Sequence, residues 1–189
     1  MTAGRGAAFE AMYAEDSDPW QFATSAYEQR RYDLTAASLL RKRYRRAFEP
    51  GCSIGELTRR LAARCDRVEA IDVAPSAVAR AKRRCAPWPN VGIDVGAVPA
   101  DWPAGTFDLI VLSEIGYYFD EPGLGGLRHR AVASLEPGGT LVAVHWRGSS
   151  AAHVLHGDQV HACLHAGTGL RAAGRYRDDG FVLDLWIRS

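Results

Sequence analysis

Glu49-Pro50-Gly51-Cys52-Ser53-Ile54-Gly55 separates a short strand-like run, Arg46-Ala47-Phe48-Glu49, from Leu57 to Arg64, whose apolar residues recur at helical spacing. Its two glycines allow a tight turn and a close backbone approach to a ligand, since neither carries a Cβ. Reading outward, strand and helix patterns alternate. Val68 to Val73 is a short apolar strand, and Pro75 opens a helix carrying Val78, Ala79, Ala81 and Lys82, placed where its missing N–H does no harm. Val91 to Val95 is a third strand, and Phe107 to Ser113 is a fourth, of the continuous apolar kind found in buried parallel sheets. Leu124 to Leu135 reads as a helix ended by Pro137-Gly138-Gly139, and Thr140 to Trp146 as a fifth strand.

This rhythm predicts parallel strands joined by right-handed crossovers. Its end differs: Leu170 to Tyr176 and Phe181 to Arg188 flank Asp178-Asp179-Gly180, a hairpin signal. The expected fold class is therefore α/β and Rossmann-like, a seven-stranded, mostly parallel sheet with a C-terminal antiparallel hairpin and helices on both faces. Ahead of it, residues 1–44 read as helical: a short helix from Phe9 to Ala14, a turn at Ser17-Asp18-Pro19-Trp20, then one or two helices from Tyr27 to Arg46. The expected organisation is an N-terminal helical segment, 1–44, covering a cofactor site, and a domain from 45 to 189, one domain overall.

The 189 residues suit a single domain. With 47% apolar and 24% charged residues and a formal net charge of +1, the chain has the balance of a soluble globular protein with no field to draw in nucleic acid or membrane. No apolar run approaches the roughly 18 residues of a membrane span, and no apolar h-region follows Met1, so no signal peptide is expected. Cys52, Cys65, Cys85 and Cys163 fit neither a zinc knuckle nor a dense disulfide framework, which points to a reducing cytoplasm. The basic run Arg41 to Arg46 reads as a solvated helix face rather than a nucleic-acid contact.

In open α/β sheets ligands bind beyond the carboxyl ends of the strands, where the 49–55 loop falls. It lacks the G-x-G-x-x-G fingerprint and a P-loop lysine. Its spacing resembles motif I of class I methyltransferases, an acid followed by G-x-G-x-G, with Glu49 as the acid, Gly51 and Gly55 as outer glycines and Ser53 in place of the middle one. Asp72 ends the second strand, where a carboxylate can accept hydrogen bonds from both ribose hydroxyls; the alternative is a cap on the following helix.

Asp101-Trp102-Pro103-Ala104-Gly105-Thr106-Phe107-Asp108-Leu109-Ile110-Val111-Leu112-Ser113-Glu114-Ile115-Gly116-Tyr117-Tyr118 resembles the NodS-type nodulation N-methyltransferases. So do Asp18-Pro19-Trp20, Tyr27-Glu28, Gly51-Cys52-Ser53-Ile54-Gly55, Val144-His145-Trp146 and Gly157-Asp158. The resemblance implies S-adenosyl-L-methionine as cofactor and a small-molecule amine as acceptor. Rhizobial members methylate the free terminal amine of a chitin oligosaccharide. On this reading the cofactor lies against Glu49, Gly51, Cys52, Ser53, Gly55, Asp72, Val73 and Ser113. Ala97 and Val98 would border the adenine, and Trp20, Tyr27 and Arg31 would fold over, Arg31 pairing with the methionine carboxylate.

Methyl transfer to an amine needs the acceptor neutral, hence a base. Glu114 and His145, following the fourth strand and closing the fifth, are the candidates. His153, His156, His161 and His165 cluster later; His161 and His165 have an i, i+4 metal-ligand spacing without a supporting third ligand, so no metal is expected. An O-methyltransferase, a non-catalytic S-adenosylmethionine-binding module and a nicotinamide oxidoreductase are the competing readings, and oligomeric state stays open.

Overall fold

The computed structural model describes residues 3–189. Seven strands form one sheet in the order β3-β2-β1-β4-β5-β7-β6, as the strand–helix alternation predicted. The chain divides into two compact units, one ending at Trp102 and one from Pro103 to Ser189. The N-terminal helical segment therefore shares its unit with the first three strands.

In the first unit α1 (Ala3–Glu15) and α2 (Ala26–Ser38) precede β1 (Tyr44–Pro50), α3 (Glu56–Ala62), β2 (Cys65–Asp72), α4 (Pro75–Cys85) and β3 (Val91–Val95). β2 pairs in parallel with both β1 and β3. α4 starts on Pro75 and ends in Lys82, Arg83 and Arg84, cations that complement the negative end of the helix dipole. Its buried face, Val78, Ala81 and Cys85, packs with Cys52, Ala70 and Ile93, which fixes the 49–55 loop between β1 and α4.

The expected helix from Tyr27 to Arg46 is a correction. α2 ends at Ser38, and Tyr44 to Arg46 begin β1. The basic run leads into β1: Arg46 pairs with Glu69 across β1–β2, and Arg43, just before the strand, with Asp66. Cross-strand partners, invisible in local sequence, override the helical propensity of Arg and Lys.

The second unit holds β4 (Phe107–Ser113), α5 (Glu121–Ser134), β5 (Leu135–Trp146), α6 (Gly157–His165), β6 (Leu170–Arg177) and β7 (Phe181–Arg188). β4 is buried at every residue and pairs in parallel with β5, while β7 runs antiparallel to β5 and β6. Pro137-Gly138-Gly139 does not separate helix from strand. It lies inside β5, where the register jumps from Phe107↔Leu135 to Leu109↔Thr140. Asp178 closes the β6–β7 turn by accepting the N–H groups of Gly180 and Phe181, both at 2.9 Å.

Candidate active site

The loop after β1 turns through three residues in the left-handed region, Gly51 (φ 75°), Ser53 (φ 50°) and Gly55 (φ 84°). Gly51 and Cys52 both donate their N–H to Ile71 O, at 2.7 and 3.1 Å, tying the loop to the end of β2. Ser53 donates its N–H to Asp72 Oδ2 at 2.8 Å, and Ala74 donates to Asp72 Oδ1 at 3.0 Å. Asp72 thus joins the 51–55 loop to the turn that enters α4, whose N-cap is Ala74 rather than Asp72 itself. Burial pushes its carboxyl up, against the opposing effect of the Ala74, Ser53 and Val73 N–H groups. Gly55 has a packing reason to be glycine, since a Cβ there would lie 3.1 Å from Ala81 and 3.2 Å from Cys85 Sγ.

Glu49 is 2% exposed and its Oε2 has no hydrogen-bond partner. Burial pushes its carboxyl up to about 8; the nearby Thr58 works the other way, and the charge of Asp72 adds to the rise. The Cys52 thiol is likewise driven up, by burial first and then by Asp72 and Glu49.

α1 reaches this loop. The Tyr13 hydroxyl bonds the Ser53 hydroxyl, Arg80 donates to Tyr13 O at 3.0 Å, and Glu10 accepts from the Ser76 N–H at 3.0 Å and its hydroxyl at 2.5 Å. Trp20 stacks on Phe22 (5.4 Å) and meets Tyr13 edge-on (5.5 Å), in a cluster with Ile54, Ala74 and Ala77. Sequence reading found Trp20 but missed Glu10 and Tyr13. Their i, i+3 spacing puts them on one helix face, a signal too common to single them out.

Arg31 is buried, paired with Glu28 one turn earlier, and its guanidinium lies 5.8 Å from the Tyr27 ring. A carboxylate of the chain itself therefore holds the residue expected to take the ligand's carboxylate. Val73, directly after β2, is half-buried and close to Gly6 of α1; beyond β3, Val98 is buried and Ala97 donates its N–H to Asp101 Oδ2 at 2.8 Å. Asp94 is exposed in β3 with Lys82 at 3.5 Å.

In the second unit Ser113 is buried at the end of β4 and Glu114 follows at φ 58°, a conformation costly for a residue with a long side chain. Three bonds hold it. Its N–H donates to Val144 O (3.0 Å), its Oε1 accepts from the Trp146 N–H (2.7 Å), and its Oε2 accepts from the Tyr117 hydroxyl (2.7 Å). Tyr117 stacks on His153 at 3.7 Å, with Tyr118 and Trp146 edge-on to the same imidazole. Glu114 is thus an oriented carboxylate at the end of two parallel strands, beside aromatic surface.

The structure places His145 differently from the expected base. It is 0% exposed; its Nε2 accepts from the Gly116 N–H at 2.9 Å, and its Nδ1 lies 3.0 Å from His161 Nε2. Both ring nitrogens are used inside the protein, so the group does not reach an incoming substrate. His161 continues to Asp184 Oδ2 at 2.7 Å, and His165 accepts from the Trp186 indole at 3.2 Å. Among the described residues no cluster of three or more His, Cys, Asp or Glu has the geometry to hold a metal ion, and no helix is long and apolar enough to cross a membrane.

Residues 11–156 match the family described as Nodulation protein S (NodS). Nodulation protein S of Sinorhizobium fredii is 34% identical over 129 residues, 66% of this chain. The chain spans 59% of that relative's length, and 61% of the Bradyrhizobium diazoefficiens protein, also 34% identical. Among solved structures, N-methyltransferase NodS from Bradyrhizobium japonicum WM9, in complex with S-adenosyl-L-homocysteine, superposes with a TM-score of 0.85. That match has 27% identity and covers 96% of this chain and 97% of that one. A structure from Pseudomonas syringae is 41% identical, with a TM-score of 0.77, over 87% of this chain and 100% of that one.

Proposed function

The chain belongs to the NodS family, and we propose that it is an S-adenosyl-L-methionine-dependent N-methyltransferase of the cytoplasm, acting on the free amine of an amino sugar or short amino-oligosaccharide. The observation that carries the reading is the turn 51–55 strapped to Asp72 through the Ser53 N–H, at the strand ends where α/β sheets take ligands. The residues present fit such a cofactor. It carries hydroxyl and amine protons that need acceptors, and two buried acidic side chains, Asp72 and Glu49, lie at the loop, Glu49 with an oxygen that has no hydrogen-bond partner. Its relative from Bradyrhizobium japonicum holds the demethylated product of the same cofactor.

Asp72 takes the ribose in this reading. A carboxylate has about four acceptor positions, and backbone N–H groups use part of them, so a ribose hydroxyl shares or displaces the Ser53 bond. Gly51, Cys52 and Ser53 border the methionine end, Trp20 and Tyr13 cover it, and Ala97 and Val98 flank the adenine. Arg31, held by Glu28, shapes this wall together with Tyr27. When bound, the cofactor supplies a methyl group already activated by a sulfonium. The chain's own task is to hold the acceptor in line and keep its nitrogen neutral. Glu114 does the second: its carboxylate accepts a proton from the incoming ammonium, freeing the nitrogen lone pair. Tyr118, Trp146 and His153 offer the flat surfaces on which a sugar ring stacks.

Transfer of radiolabelled methyl from S-adenosyl-L-methionine to glucosamine oligomers with a free terminal amine tests the reading. Product carrying label on nitrogen supports it; label on oxygen would favour a small-molecule O-methyltransferase. Thermal stabilisation by S-adenosylhomocysteine without any turnover would leave a binding module. Stabilisation by NAD instead would overturn the cofactor assignment.

A further inference from the structure

Four side chains from four elements of the second unit form one hydrogen-bonded line. It runs from His145 on β5 through His161 on α6 to Asp184 on β7, which Arg175 on β6 grips at 2.7 and 2.9 Å. All but Arg175 are buried. The other end of the line is the Gly116 N–H, in the turn Gly116–Tyr118 just after Glu114. The turn sits hard against this support: a Cβ on Gly116 would lie 2.4 Å from Val160 and 2.8 Å from His145 Nε2.

The chemistry of the two ends fixes every proton between them. A backbone N–H only donates, so His145 Nε2 is the bare nitrogen and the proton is on Nδ1. That N–H donates to His161 Nε2, which is bare in turn, leaving the His161 proton on Nδ1 to donate to Asp184. A carboxylate only accepts, and Asp184 stays ionised: burial pushes its carboxyl up, but the bonds and charges of His161 and Arg175 hold it below the usual range. Two imidazoles with two protons fit the line. A third proton does not. With His161 doubly protonated, His145 must accept on Nδ1 and carry its own proton on Nε2, where it faces the Gly116 N–H donor to donor.

We propose that His145, His161 and Asp184 are positioning residues that hold the Glu114–Tyr118 turn through the Gly116 amide, and that they do so only while the histidine pair is neutral. The line imposes a tautomer, as a carboxylate does on a catalytic or metal-bound histidine, but here the oriented object is a peptide N–H. Releasing Gly116 loosens Glu114, whose left-handed backbone must be held from outside. The groups near the pair are Arg175 and Arg177 from β6, Asp184 from β7, Asp158 and His165 from α6, and Tyr117 on the turn side, with Glu114 and His153 behind Tyr117. Asp158, His165, Arg175 and Arg177 line an open cleft that reaches His161, a route for protons from water to the buried line.

The proposal rests on the methyltransferase reading only for the consequence at Glu114; its proton pattern is tested without turnover. Long-range proton–nitrogen NMR of the intact wild-type protein should show Nδ1 protonated and Nε2 bare on both histidines. On acidification, protonation of the pair and loss of Gly116 amide exchange protection should coincide. Asp184→Ala removes the anchor and should populate the opposite tautomers and expose the Gly116 amide. Asp184→Asn keeps an acceptor for His161 and should restore the wild-type pattern. Methyl transfer to a glucosamine oligomer should fall about 10–100-fold in kcat for Asp184→Ala, with S-adenosylhomocysteine affinity within about threefold. A proton on His145 Nε2 in the wild type, or an Asp184→Ala protein with unchanged tautomers and Gly116 protection, overturns the proposal. Should that variant fail to fold, the wild-type spectrum and its acid titration decide alone. A wild type with the expected spectrum and no methyl transfer counts against the enzymatic reading and leaves the line standing.

Discussion

Glu49→Gln replaces a buried carboxyl by a neutral group of the same shape. Glu49 is 2% exposed at the end of β1, and burial pushes its carboxyl from 4.5 up to about 8. The folded state thus binds this proton more tightly than the unfolded chain. The sign follows: the contribution to stability is complete below about 4.5, declines as pH rises, and is lost once pH passes about 8. Each pH unit inside that window is worth about 1.4 kcal/mol, so the whole span is of order 5 kcal/mol and the share lost by pH 7 about 3 kcal/mol. Glutamine carries no such dependence. Paired urea unfolding of wild type and variant at pH 5 to 8.5 isolates the effect, because the other titrating groups are common to both. Wild type should lose stability relative to the variant by several kcal/mol across the series. A difference between the two proteins that stays constant within about 1 kcal/mol would refute the account of Glu49 as a carboxyl held neutral by burial.

Asp72→Asn should weaken S-adenosylhomocysteine binding by about 1.5–3 kcal/mol, the worth of a hydrogen bond to a charged group, measured by calorimetry; unchanged affinity would remove the ribose role. Glu114→Gln should leave that affinity within a few-fold and cut methyl transfer about 10²–10⁴-fold. Its rate should recover in part at high pH, where the amine is already neutral, and near-normal turnover at pH 7 would take Glu114 out of the mechanism. Gly116→Ala forces a Cβ to within 2.4 Å of Val160 Cγ1 and should cost about 1–3 kcal/mol in denaturant unfolding, the usual price of overpacking.

The fold was legible where periodicity alone decides it. β3 and β4 fall on the residues predicted, and the 178–180 turn closes the expected hairpin. It was illegible where partners distant in sequence decide. Nothing local distinguishes Tyr44-Arg45-Arg46 as a strand from the helical run before it; the Glu69 carboxylate on β2 does. Pro137-Gly138-Gly139 reads as a terminator, yet its irregular backbone is absorbed as a register jump inside β5. The site divides in the same way. The 51–55 turn and its meeting with the end of β2 at Asp72 were legible because turn chemistry and strand spacing are written along the chain. Tyr13 at Ser53 and Asp184 beneath His161 are pairings across tens of residues and between elements, and no spacing encodes them. His145 shows the limit most plainly: strand-end position suggested a base, while its burial and its two nitrogen partners give it a supporting task.

Backbone strain supplies a signal that composition does not. Among the described residues the non-glycine positions with positive φ are Gln21, Ser53 and Glu114. Such conformations cost of order 1–3 kcal/mol and persist only where surroundings over-determine them. Each of the latter two is over-determined by bonds that also aim it. Ser53 is fixed by its N–H on Asp72 and its hydroxyl on Tyr13, Glu114 by Val144, Trp146 and Tyr117. Glycine at either position would relax the backbone but give up the side-chain bonds to Tyr13, or to Trp146 and Tyr117. At Ser53 the hydroxyl ties α1 to the 51–55 loop; at Glu114 the carboxylate is pointed by the Trp146 N–H and the Tyr117 hydroxyl, and in the proposed reaction it is the group that takes the proton of the ammonium.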